Sequence, residues 1–389
     1  MGNQPAKIIL AKNTISVRRR RTSPPSSFAK ASADKKGEKD IVILALETSC
    51  DETAAAVLNI RDGKDWPQIT TLASVVKSQI KLHSKFGGVV PEVAARAHVK
   101  NILPVVQKAL LTAHCSLLTI DYLAVTAGPG LVPSLIVGVE FAKGLAFAGK
   151  KPIIPVNHML GHLYSPFGRL YPKRYPLSPS LFPIISLIVS GGHTMLVLVK
   201  NIKEYKIIGQ TVDDAAGEAF DKVAKLLSLP YPGGPEVSKL ATKSKNPVQF
   251  PRPMINSKNY NFSFSGLKTA VLYYVKDKGL KIKDSALKAD ICAGFQNAAV
   301  DVLVTKTLRA VKQYSAKSVS LSGGVAANQK LRQKLIVNCK SLNVKFMAPP
   351  INLCTDNAEM IGLAAAFMLH NGYKPKSYKT IKADPNLQL

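Results

Sequence analysis

Acidic residues are scarce in this chain: 24 Asp and Glu stand against 53 Lys and Arg, a formal net charge of +29. Such an imbalance argues against a chain that keeps polyanions away, and creates a field that attracts them, nucleic acid first. Setting aside residues 1–40, with ten bases and three acids, leaves 43 bases against 21 acids, so the excess belongs to the folded body too. Cysteine is sparse as well. The five thiols (Cys50, Cys115, Cys292, Cys339, Cys354) are odd in number, far apart, without a C-x-x-C pair and without a secretory signal ahead of them. That argues against a disulfide scaffold and suits a reducing cytoplasm. Long apolar runs are missing too. Glu140 and Lys143 interrupt the richest candidate before it reaches the ~18–20 residues of a membrane span, so a soluble protein without a membrane partner is expected. What remains is 389 residues with 46% hydrophobic content, enough for two lobes with cores of their own.

The stretch that organises the rest is Asn157-His158-Met159-Leu160-Gly161-His162. Histidines four apart lie one turn above each other on a helix, so both imidazoles can reach one ion. The spacing supplies half a metal site, and packing or capping explains many such pairs. In the zinc-protease motif H-E-x-x-H, a Glu after the first His activates water. Met159 stands there, and a thioether cannot take a proton.

Residues 1–40 contain Arg18-Arg19-Arg20-Arg21 and Ser23-Pro24-Pro25-Ser26-Ser27 with few large apolar side chains, which predicts a disordered basic extension. An Arg- and Ser-rich start also fits an organellar transit peptide as a minority reading. From Ile41 a buried strand is expected to Leu46, then the turn Glu47-Thr48-Ser49-Cys50-Asp51-Glu52-Thr53 and a returning strand from Ala54. The pattern recurs: Phe182 to Val189, the turn Ser190-Gly191-Gly192-His193-Thr194, and Met195 to Val199. Two strand–turn–strand units suggest a duplicated architecture with two polar loops gripping a phosphate or an ion. Between them lie a helical stretch over 93–112, a strand over 123–126, the turn Gly128-Pro129-Gly130, a helix over 134–147 and a short strand over 152–156 that runs into the His pair.

Asp213 and Asp214 are expected to open a helix as first-turn acids; Asp221, two turns in, is not explained by capping. Between Lys245 and Lys283, bases (Arg252, Lys258, Lys268, Lys276, Lys278, Lys281) alternate with rings (Tyr260, Phe262, Phe264, Tyr273, Tyr274), the pairing used to hold single-stranded RNA, although core packing also uses such rings. A strand over 318–321 ends in Ser322-Gly323-Gly324 ahead of Asn328, whose amide both donates and accepts. Cys354-Thr355-Asp356-Asn357 begins a closing helix, and Asp356 is available to complete the two-His site, with capping as the alternative.

In combination Glu47 to Thr53, Gly87-Gly88-Val89-Val90-Pro91-Glu92, Thr126 to Leu131, His158-x-x-x-His162, Val189 to Thr194, Asp213 to Asp221, Phe262 to Lys268 and Cys354 to Asn357 resemble the TsaD family of tRNA adenosine threonylcarbamoyltransferases, from about Ile41 to about Phe367. The resemblance implies an α/β, actin-like/Hsp70-like (ASKHA) two-lobed fold with duplicated βββαβα lobes around a nucleotide and metal cleft. The lobes would be residues 41–157, with 357–389 packing back on them, and 158–356. It implies transfer of a threonylcarbamoyl group from threonylcarbamoyl-AMP to N6 of the adenosine next to the anticodon (position 37), in tRNAs reading A-starting codons. His158, His162 and Asp356 match metal ligands, for iron(II) or else zinc. Ile188, Val189, Ser190, Gly191, Gly192, Asp221, Gly234 and Asn328 match adenylate-binding positions, and Asp51 and Glu52 match acids with a catalytic role. Implied partners are tRNA, a smaller TsaB-type paralogue and a TsaE-type ATPase; the implied location is the bacterial cytoplasm, with a mitochondrion as the alternative. An ATPase or sugar kinase of the same superfold is the competing class, and a metalloprotease the weakest.

Overall fold

The computed structural model describes residues 40–61, 63, 66–168, 178–279 and 284–389. The basic extension before Asp40, and Lys281, lie outside the described residues. Two five-stranded sheets share one topology. In the first, β1 (Ile41–Glu47), β2 (Glu52–Arg61) and β3 (Gln68–Ser78) form an antiparallel meander, and β4 (Tyr122–Gly128) and β5 (Ile153–Asn157) add in parallel, in the order β3-β2-β1-β4-β5. Their connections are α1 (Ile80–His83), α2 (Pro91–Thr112) and α3 (Val132–Gly149). The second sheet repeats this with β6 (Ile184–Val189), β7 (Thr194–Asn201), β8 (Glu204–Gln210), β9 (Ser318–Ser322) and β10 (Lys345–Met347), in the order β10-β9-β6-β7-β8. Its helices are α5 (Ala216–Leu226), α6 (Gly233–Ala241), α7 (Ser265–Asp277), α8 (Ser285–Gln313) and α9 (Gln329–Ser341). Each fifth strand runs on to one more helix: α4 (His158–Tyr164) after β5 and α10 (Ala358–His370) after β10.

The layering explains why the strands read as unbroken apolar runs. Leu44 and Leu46 face a core shared with α2 and α3, whereas Ile43 and Ala45 face α4 and α10. In β6, Ile185, Leu187 and Val189 pack towards α5 to α9, while Ile184 and Ile188 join the same α4 and α10 layer. With both faces covered, alternation disappears from the sequence. The α4 and α10 layer is thus common to both sheets, and the two helices that end the repeats lie where the repeats meet.

Three expectations change. The helix after β8 starts at Ala216, so Asp213 and Asp214 lie before it. Asp213 instead accepts from the backbone N–H of Phe264 and Ser265, and Asp214 pairs with Lys222 and Lys268 at 2.9 and 3.1 Å. Tyr260, Phe262 and Phe264 are buried in the second-lobe core, so they are not stacking platforms for bases; Tyr273 remains exposed. By length and composition α3 could cross a membrane. One of its faces, Leu135, Val139, Ala142 and Ala146, is buried with the first sheet, and Glu140 and Lys143 pair with each other at 2.7 Å.

A candidate metal centre between two hairpin turns

Helix α4 begins where β5 ends because Asn157 caps it: the side-chain oxygen accepts from the N–H groups of Met159 and Leu160 at 2.8 and 3.3 Å. The same amide donates to the carbonyls of Leu387 and Gln388, tying the chain's last residues to the metal helix. His158 and His162 then project from one side of α4, ring centroids 4.8 Å apart and nearly perpendicular. Asp356 approaches from just before α10, whose cap is Asn357, accepting from Met360 N–H. Asp356 Oδ1 lies 3.5 Å from His158 Nε2 and 3.2 Å from His162 Nε2. Ligands about 2.1 Å from one ion stand roughly 3.0–3.4 Å apart when adjacent, so these separations fit. A second observation agrees. His162 Nε2 is buried and, despite its proximity to Asp356, has no well-directed hydrogen bond; an ion would satisfy that lone pair. The group His158, His162 and Asp356, with donor atoms within 4.8 Å of one another, is therefore able to hold a metal. Met159 points into the core, 2% exposed, so the helix offers no general base at the protease position.

The turn between β1 and β2 backs this pair. Glu47 Oε2 accepts from His158 Nδ1 at 2.9 Å and from Thr126 Oγ1 at 2.7 Å, while Ser49 N–H donates to the other oxygen. A carboxylate behind the ring fixes the tautomer and leaves Nε2 free towards Asp356, the usual support of a ligating His. Ser49 Oγ lies 3.1 Å from the same Nδ1, and Thr48 Oγ1 donates to Ser134 O. The hydroxyls of this turn are thus engaged within the protein. The turn wraps the histidine rather than a phosphate. Burial disfavours a charged His158, but Asp356 and Glu47 on either side outweigh it and hold its pKa well above the ordinary value. Burial also acts against charge on Asp356, and the two imidazoles overcome it, so that its carboxyl stays ionised. Asp51 and Glu52 are both buried. Glu52 is raised well above the carboxylate range, by burial first, then by Asp356 and Asp51.

The turn between β6 and β7 faces the centre from the other lobe. The pKa of His193 is pushed down to about 4, by burial first and then by the electrostatic influence of His158 and His162. Ser190 and His193 close the turn through backbone bonds and the Ser190 hydroxyl. Ile188 and Val189 are core strand residues, so only their main chain could meet a ligand. Gly191 and Gly192 are open: a Cβ at either would meet nothing within 4 Å. Helix α5 sits directly behind, with the N–H groups of Gly217 and Glu218 on the carbonyls of Ser190 and Gly191. Asp221 accepts from Gly233 N–H at 2.7 Å and from Gly234 N–H, so it holds the start of α6. Burial raises its pKa against those two bonds, with Asp51 adding to the rise. Asn328 caps α9 and donates to Ser238 Oγ on α6 and Gln296 Oε1 on α8. The adenylate candidates are therefore gathered on the second lobe, and the metal candidates lie between the lobes.

The chain is similar to known proteins. Residues 70–363 match the family model described as tRNA N6-adenosine threonylcarbamoyltransferase. The chain belongs to the TsaD family. The tRNA N6-adenosine threonylcarbamoyltransferase of Thermosipho africanus is 48% identical over 90% of this chain and 100% of its own length. The Staphylococcus haemolyticus enzyme of the same name is 46% identical over 87% of this chain and 94% of its own. Among solved structures, T. kodakarensis HypF superposes with a TM-score of 0.57 at 13% identity, over 86% of this chain and 49% of that one; this likeness concerns the ASKHA-type fold alone. Two supports seen here were not assigned from the sequence: the role of Glu47, which ends an apolar strand where a buried carboxylate needs a partner, and the cap made by Asn157, which stands where the family often has another residue and is a standard N-cap type ahead of a helix.

Proposed function

We propose that this TsaD-family chain transfers the threonylcarbamoyl group of threonylcarbamoyl-AMP to N6 of the adenosine at position 37 in tRNAs that read A-starting codons. The observation that carries the reading is the His158, His162 and Asp356 cluster, backed by Glu47 and placed between the two turns. In the transfer the adenosine N6 attacks the carbamoyl carbon, the N–C bond forms, the bond from that carbon to the phosphate oxygen breaks, and AMP departs as the N6 proton leaves. A divalent ion held by the three ligands would supply a Lewis acid for a carbonyl or phosphate oxygen. Two His and one carboxylate favour iron(II), with zinc as the other candidate. The chain's own residues do the rest. Gly191 and Gly192 leave room for an adenylate against the main chain of 188–192, with Asp221, Gly234 and Asn328 shaping the wall behind. Asp51 and Glu52 border the cluster, and burial, Asp356 and Asp51 raise the pKa of Glu52, so that carboxyl holds a proton more readily than an ordinary glutamate and is a group able to give one.

The positive body suits tRNA. Lys258, Lys276 and Lys278 are exposed near the second lobe, which supports an RNA-facing surface there. A smaller TsaB-type paralogue and a TsaE-type ATPase complete the machinery. Val99, Leu103 and Leu111 on α2, with Val132, Ile136 and Phe147 on α3, are exposed apolar side chains on adjacent helices, and such a face suits a helical partner. All five cysteines are free thiols, in keeping with the reducing cytoplasm of a bacterium. The test is a reaction of purified protein with threonylcarbamoyl-AMP, tRNA and both partner subunits. Modified adenosine that disappears in Asp356→Ala supports the reading; unmodified tRNA with the wild-type protein overturns it.

A further inference from the structure

The segment Gly87 to Glu92 and the helix behind it take no part in the site as described, yet they connect to it through a buried polar chain. Cys50 O accepts from His98 Nε2 at 2.9 Å. A carbonyl can only accept, so that nitrogen carries a proton, and in the neutral ring Nδ1 is then an acceptor. Two donors meet Nδ1: Thr53 Oγ1 at 2.8 Å and Gln79 Nε2 at 3.3 Å. The second amide hydrogen of Gln79 goes to Ala94 O at 3.4 Å. Its oxygen accepts from His83 Nε2 at 3.2 Å, and His83 Nδ1 accepts from Val90 N–H at 3.3 Å. One assignment satisfies every bond. Both rings are neutral and protonated at Nε2, and Gln79 points its oxygen at His83. Thr53, His83 and His98 are fully buried and Gln79 is 4% exposed, so water cannot replace a lost partner and each missing bond leaves an orphan.

The end of this chain is the peptide that presents the acids. His98 holds the carbonyl before Asp51, and Gln79 N–H holds the carbonyl of Asp51 itself at 2.9 Å. We propose that His98, backed by Gln79 and His83, is a positioning residue for the transfer, fixing the main chain on both sides of Asp51 so that Asp51 and Glu52 keep one orientation beside the metal centre. This rests on the reading that the 51–52 turn takes part in transfer. The chain touches neither His158, His162 nor Asp356, so its loss acts on turnover and leaves metal binding alone.

Two experiments on the full chain with its partner subunits test it. Nitrogen-15 NMR of histidine-labelled protein should show His83 and His98 in the Nε2–H form; a proton on Nδ1 of either ring overturns the network, whatever the enzyme's activity. In kinetics, His98→Leu should lower kcat roughly tenfold to a hundredfold, the scale of a misplacement near 1 Å, with KM for tRNA and bound metal unchanged. His98→Gln, which can still donate to Cys50 O, should recover most of that loss. Should the leucine variant not fold, Thr53→Val removes one hydroxyl donor at constant shape and should lower kcat severalfold. Wild-type kcat in the folded leucine variant (or in Thr53→Val, where that stands in), equal losses in the leucine and glutamine variants, or loss of metal with turnover would each overturn the proposal. A wild-type complex without transfer activity would instead sink the functional reading.

Discussion

The two hairpin turns occupy the same place in the two repeats and have opposite chemistry. The β1–β2 turn is crowded with side chains: Glu47 and Ser49 meet His158, Thr48 reaches Ser134, and Asp51 and Glu52 are buried. The β6–β7 turn has two glycines with open space around them. A glycine in the loop after the fourth strand of each repeat presses on the turn: a Cβ on Gly130 would lie 2.7 Å from Ser49 O, and one on Gly323 2.3 Å from Val189 O. The repeat therefore puts the two loops at equivalent places, and the residues placed on them decide which offers side chains and which offers open main chain. The same holds for the final helices, since α4 brings two of the candidate ligands and the approach to α10 brings the third.

The largest effect is expected from breaking the shared support. Gly323 has φ +88° besides its contact with Val189, so Gly323→Ala combines backbone strain with overpacking, a loss of roughly 2–4 kcal/mol, measured by denaturant unfolding. Stability within 0.5 kcal/mol of wild type, by the usual scale of a harmless surface change, would mean the loop can yield. Next comes the first turn alone. Glu47→Gln keeps the size but loses the charge behind His158, and metal affinity should fall about 10–100-fold, read by chelator competition; unchanged affinity would remove Glu47 from the centre. Smaller again is Gly191→Ala on the second turn. No atom obstructs the methyl, so the melting temperature should stay as it is. The approach of an adenylate to the main chain should nevertheless cost about 1 kcal/mol, near a fivefold rise in KM for threonylcarbamoyl-AMP. An unaffected KM would separate Gly191 from the donor.

Much of this contrast was readable in the sequence. The apolar runs bounded by polar turns gave the first hairpin of each repeat, though not the third strands β3 and β8 that complete the meanders, and the four-residue spacing of His158 and His162 put both on one side of α4. Local pattern could not supply long-range partners. Asp213 reads as a helix-start acid because nothing nearby competes, whereas its partners at Ser263 to Ser265 are about fifty positions away. Phe262 and Phe264 alternate with polar residues as an RNA-binding stretch would, and only the packing of α7 and α8 shows them to be core. His98 could not be distinguished in the sequence from any other histidine on an amphipathic helix. Its role depends on Thr53, Gln79 and His83 arriving at the same point.

The smallest effect separates the turns by what holds them: backbone bonds behind the second, a neutral imidazole behind the first. Burial lowers the pKa of His98 below its ordinary value, and its bond to the Cys50 carbonyl together with nearby Glu47 and Asp51 only partly restores it. The unfolded chain therefore takes up this proton at a higher pH than the native protein does. Stability owed to the neutral ring is complete above about pH 6.5 and declines as the pH falls from there towards the lowered native value, by at most about 1.4 kcal/mol per pH unit. Other groups titrate over the same range, so the informative quantity is the difference in unfolding free energy between wild type and His98→Gln, which cancels what the two share. That difference should be level from pH 8 to about 6.5 and should narrow on further acidification, as only the wild-type unfolded state gains the extra proton. A difference that stays constant down to pH 5, or widens, would mean that His98 binds its proton at least as readily in the folded protein as in the unfolded chain, and the neutral-ring account of the first turn would fail.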